Sequence, residues 1–167
     1  MQPKSRGYGD LLAESLDPSE SGLHTPVMFV SVVLSAIALA LPWVTVSTPG
    51  LGTDAIRGYE LGIWIAPFVL AIGVTMLTIK NDADLELNPG WSPLEQFVCL
   101  GLGGLHLGIP IATLLAPDQV LQLTGEFGIA EPLLLEQLSF EAHYGPMVTA
   151  VAGVLLVGAI GYNFATN

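Results

Sequence analysis

The sequence predicts an all-α integral membrane bundle of four transmembrane helices. Three observations carry this. Apolar residues make up 51% of the chain and charged residues 11%, against about 25% charged in ordinary soluble domains. The shortage of charge is concentrated in four long runs that contain no Asp, Glu, Lys or Arg. Each run is long enough, as a helix, to cross a hydrocarbon core about 30 Å thick. Helix-start residues also stand where such helices need them, most clearly at Ser92-Pro93-Leu94-Glu95.

Residues 1–25 read as a polar tail. The tail lacks a short apolar core followed by a small-residue cleavage site, so it is not expected to be a secretory signal. Gly7–Leu16 could form a short surface helix. The first membrane helix is placed at 26–46. Thr25 is its expected cap, and Pro26 sits at the first helical position, where a missing N–H costs nothing. Trp43 reads as an interfacial aromatic marking the far end. Residues 47–60 read as a loop, with Thr48-Pro49-Gly50 as turn-formers.

The second helix is placed at 61–79, with Pro67 near its start and Lys80 at its end. An acidic loop follows (Asp82, Asp84, Glu86), closed by Asn88-Pro89-Gly90. It lacks the central Gly and terminal Glu of a twelve-residue calcium loop, so it reads as solvated. The third helix is placed at 93–116 and opens on a capping box, Ser92 with Glu95 three residues on. Asp118–Leu123 reads as a short helical extension or a turn. Residues 129–142 read as a short interfacial helix, apolar at Leu133, Leu134, Leu135, Leu138 and Phe140 and acidic at Glu131, Glu136 and Glu141. The fourth helix is placed at 146–165.

Lys4, Arg6 and Lys80 fall on one side of this arrangement and Arg57 on the other, which places both termini in the cytoplasm. Fifteen Asp and Glu stand against four Lys and Arg, a formal net charge of −11. No basic patch exists, so no nucleic-acid partner is expected. An acidic, lysine-poor surface suits molar salt, where the Debye length is about 3 Å, and points to a halophile. The single cysteine, Cys99, allows neither an intrachain disulfide nor a cysteine-based zinc site.

On a helical wheel the third run has two faces that are not lipid-like. Gly101, Gly104, Gly108 and Ala112 lie together on one. Cys99, Gly103, His106, Pro110 and Thr113 lie opposite. Thr149, Gly153, Val157 and Gly161 recur every fourth residue on the fourth helix. Close helix packing is therefore assigned to Gly101, Gly104, Gly108, Thr149, Gly153 and Gly161.

An ionisable residue in a membrane interior marks a site by default. Two readings of His106 stand. In one, a neutral imidazole bonds to a neighbouring helix, with Ser35 at nearly the same depth as its first partner. In the other, His106 with Ser35, Cys99 and Thr113 binds a small molecule or ion, or His106 ligates a tetrapyrrole. His24 and His143 lie at membrane faces, roughly 18 Å from mid-depth, and cannot join it on one iron within a subunit. All fifteen acids lie outside the four runs, which weakens proton-coupled transport. No catalytic residues and no metal site are assigned, and no cofactor is required. Paired carboxylates inside the bundle, HExxH, Gly-x-Ser-x-Gly and a phosphate loop are all missing.

Composition, Leu41-Pro42-Trp43 at the end of the first run and Gly58-Tyr59-Glu60 before the second resemble small four-helix membrane proteins of halophilic archaea with no assigned function. The resemblance implies a multi-pass membrane protein; the expected location is a cell membrane, or a virion membrane. It carries no site across. The expected function is structural or accessory, through helix packing with copies of itself or other membrane subunits in the lipid bilayer. A binding or transport module centred on His106 is the alternative.

Overall fold

A computed structural model describes residues 23–50, 52–84, 91–124 and 138–166. Five helices and three strands follow in order: α1 His24–Ala40, β1 Pro42–Thr48, β2 Gly52–Arg57, α2 Gly62–Asp84, α3 Pro93–Leu115, α4 Pro117–Leu123, β3 Ser139–Ala142 and α5 Tyr144–Thr166. Most of the polar tail, with its short helix at Gly7–Leu16, lies outside the described residues. So do the end of the acidic loop and most of the interfacial segment.

The four longer helices pack around a perimeter in chain order. α1 lies against α2 and α5, and α3 lies against the same two. Serine, threonine and histidine point inward: Ser31, Ser35, Thr75, Thr78, His106, Thr113 and Thr149 are buried, while Val30, Val33, Ile37, Val69, Met76, Leu105, Val151 and Val154 are exposed. That is the reverse of a soluble bundle. Apolar solvent outside and paired polar groups inside are what a bilayer demands. Among the described residues, three helices are long and apolar enough to cross a membrane: Gly62–Lys80 within α2, Pro93–Leu115 and Tyr144–Thr166.

α3 starts as its sequence dictates. The Glu95 N–H donates to Ser92 Oγ at 3.3 Å, and the Ser92 N–H and hydroxyl donate to Glu95 Oε2 at 2.9 and 2.6 Å. α1 starts differently. Its cap is Leu23, with no side-chain bond. Thr25 is already inside the helix, and its buried Oγ1 has no partner among the described residues.

The main correction concerns the first run. α1 does not continue to residue 46 but ends at Ala40. Pro42 forces the preceding residue out of helical space, and Leu41 is extended at φ −81°, ψ 155°. The chain then enters β1, where Val44, Thr45 and Val46 are β-branched and suit a strand. The expected loop at 47–60 is the rest of a hairpin, with β1 and β2 antiparallel from Thr48↔Gly52 back to Pro42↔Arg57. The turn needs glycine: Gly50 and Gly52 sit at φ +79° and +106°.

The all-α expectation is corrected accordingly, because a three-stranded sheet in the order β2-β1-β3 accompanies the helices. The last four residues of the expected interfacial helix form β3, paired antiparallel to β1 from Val44↔Ala142 to Ser47↔Ser139. The β2 edge is partly closed by the chain itself. The Ala55 N–H donates to Asp54 Oδ1 at 2.9 Å and the Arg57 N–H to Glu60 Oε2 at 2.7 Å. Such capping discourages strand addition.

The sheet and α4 close the end of the bundle where α1 and α3 finish and α2 and α5 begin. Trp43 is the centre of this cap and not an interfacial belt residue, because it is 0% exposed. Its Nε1–H donates to the Ala38 carbonyl at 2.8 Å, and its ring stacks on Trp64 at 5.2 Å. Gly58 and Gly145 lie against the indole so closely that neither could carry a Cβ without displacing it. Val44, Leu61 and Leu121 complete the cluster, flanked by Val46, Ile56 and Phe140.

Candidate functional site

The α3 face that carries chemistry turns inward: Cys99, Gly103, His106, Pro110 and Thr113 are all buried. Helical spacing puts them on one stripe, and α2 and α5 close over it. His106 is 0% exposed. Its Nδ1 lies 2.6 Å from the Pro67 carbonyl on α2. A carbonyl only accepts, so Nδ1 carries the hydrogen and donates. A neutral ring then has Nε2 as an acceptor. Ser35 Oγ on α1 lies 3.5 Å from Nε2, and its hydroxyl donates. Pro67 keeps a second carbonyl lone pair for its own helix, so this bond disturbs no helical one.

The fourth helix meets the same ring. A Cβ built on Gly153 of α5 would stand 3.0 Å from His106 Cδ2 and 3.1 Å from Leu107 Cα. One side chain of α3 therefore touches α1, α2 and α5 at a single level. Pro110 adds a local consequence: lacking an N–H, it cannot donate to the His106 carbonyl four residues back.

Of the four residues assigned to ligand binding, the structure brings Ser35 and His106 together. Cys99 and Thr113 each stand seven residues from His106, about 10 Å along the axis. Cys99 packs with Met28, Val74, Leu156 and Ile160. The Thr113 hydroxyl donates to the Ile109 carbonyl of its own helix at 3.0 Å. Among the described residues no group of three or more His, Cys, Asp and Glu could hold a metal ion.

A tetrapyrrole does not fit the packed site. His106 is fully buried, with Nδ1 on the Pro67 carbonyl and Nε2 facing Ser35, so the packed helices would have to part for a macrocycle to reach Nε2.

The packing residues divide into two groups. Thr149 and Gly153 are buried, and the Thr149 hydroxyl donates to the Gly145 carbonyl at 3.0 Å. Gly101, Gly104, Gly108 and Gly161 face outward with no other atom within 4 Å of an added Cβ. Sequence reasoning put Gly103 on the His106 face but not among the packing residues, and it lies under Ile160 and Val157 of α5. Ser31, four residues from Ser35 and so on the same face, was given no partner by the sequence; its hydroxyl donates across to the Ala152 carbonyl at 2.7 Å. No family model, curated protein or solved structure matches the chain.

Proposed function

We propose that the protein is a structural or accessory membrane protein that acts by helix packing within an oligomer or a larger membrane complex. In this reading the chain spans the bilayer four times, with both termini cytoplasmic and the sheet-bearing cap outside. α1 is the shortest span, and its 17 residues rise about 25 Å. One observation carries the reading: α3 presents Gly101, Gly104 and Gly108 to the outside with nothing opposite them. In lipid, association comes from close backbone approach between small residues. Gly103 and Gly153 serve that end inside the subunit, and the outward glycines offer the same surface to another helix.

The test is the mass of the purified protein in mild detergent at high salt, measured by light scattering. Wild type is expected to be larger than one chain, and Gly104→Leu combined with Gly108→Leu is expected to reduce it to one chain. A strictly monomeric wild type, purified without a partner, would overturn the proposal.

A further inference from the structure

Away from His106, at the end of the bundle opposite the sheet, a cavity of about 160 Å³ opens between α2 and α3. Leu77, Leu94, Val98 and Cys99 give it apolar walls, and Lys80 and Glu95 stand at its rim. Trp91 completes the lining. It is 8% exposed, and its buried Nε1 has no hydrogen-bond partner among the described residues. We propose that this cavity is a binding site for an anionic membrane phospholipid, whose phosphate meets Lys80 and whose first acyl methylenes enter over Trp91 and Cys99.

The chemistry of the rim and walls selects that class. α2 is read as a span through Lys80, and α3 begins at Pro93, so the opening lies where hydrocarbon gives way to water. A lipid phosphate sits at that depth, and a lysine there is placed to meet it. Glu95 shares the rim with Lys80, and its Oε2 accepts both Ser92 bonds of the capping box. A soluble anion would leave the apolar walls unused. Leu94, 72% exposed, and Leu77, 41% exposed, continue the apolar surface outward from the mouth, as a chain entering from the bilayer requires.

Cys99 is the only cysteine and lines this cavity, so the wild-type chain carries its own reporter. The rate of Cys99 alkylation by N-ethylmaleimide is measured in neutral detergent with phosphatidylglycerol, phosphatidylcholine or inorganic phosphate added. A lysine at a membrane surface contributes about 1 kcal/mol toward an anionic lipid, so phosphatidylglycerol is expected to slow alkylation about fivefold more than phosphatidylcholine. Lys80→Gln should abolish that difference when each rate is taken relative to the same variant in lipid-free detergent. Equal protection by both lipids, protection surviving in Lys80→Gln, or protection by inorganic phosphate alone would each overturn the proposal. Should Cys99 resist alkylation without lipid, native mass spectrometry decides: one retained phosphatidylglycerol in wild type and none in Lys80→Gln is expected, and equal retention refutes it.

Discussion

Adding one methyl group at two glycines separates contact inside the bundle from open space outside it. At Gly73 on α2, an added Cβ meets no atom within 4 Å. Gly73→Ala therefore gains helix propensity alone, about 1 kcal/mol. At Gly153 the same Cβ would stand 3.0 Å from His106 Cδ2 and 3.1 Å from the Leu107 backbone. The backbone cannot step aside, and moving the ring strains the bond to Pro67. Overpacking of this kind costs about 1–3 kcal/mol. Set against the same propensity gain, Gly153→Ala should change stability by between about 0 and −2 kcal/mol. The two variants should thus differ by about 1–3 kcal/mol. The assay is unfolding in detergent, followed by circular dichroism at 222 nm. If Gly153→Ala stabilises the protein as much as Gly73→Ala, α5 does not press on His106 and the central role given to that ring is wrong.

His106→Phe should lower stability by about 1–2 kcal/mol in the same assay, since it removes the donor to the Pro67 carbonyl. A neutral result would show that the bond contributes nothing. Gly145→Ala must displace the Trp43 indole, so the near-ultraviolet dichroism of the Trp43–Trp64 stack should collapse; an unchanged spectrum would contradict the cap's geometry. Glu95→Ala removes the side chain that accepts both Ser92 bonds and should cost about 1 kcal/mol, read as a lower midpoint in detergent unfolding. Asp54→Ala with Glu60→Ala frees two edge amides on β2, and concentration-dependent self-association should rise by analytical ultracentrifugation.

The parts of the molecule legible in the sequence are those set by local chemistry or by a simple period. Ser92 and Glu95 find each other three residues apart whatever the rest of the chain does. The stripe Cys99, Gly103, His106, Pro110 and Thr113 follows from 3.6 residues per turn. Which of the two special faces of α3 turns inward was not legible, because it depends on α2 and α5 arriving beside it. The hairpin was hidden because Trp43, Val44 and Val46 are as apolar as a membrane span. Hydropathy does not distinguish a strand buried under a cap from the end of a helix. Pro42 and the β-branched run after it held the signal. β3 was hidden for another reason: Phe140 and Ala142 alternate with Glu141 over too few residues to show a period, and their partner, β1, is far away in sequence.

That distance has a consequence for how the protein is made. Thr45 bonds to Glu141 across 96 residues of chain. On the four-span reading proposed above, β1 and β2 can form their hairpin once α1 is in place, but the other side of β1 stays open until the segment before α5 arrives. On that reading the sheet closes only when the segments before α2 and before α5 have reached the same side of the membrane, and a chain with one misoriented span would leave β1 without its third strand.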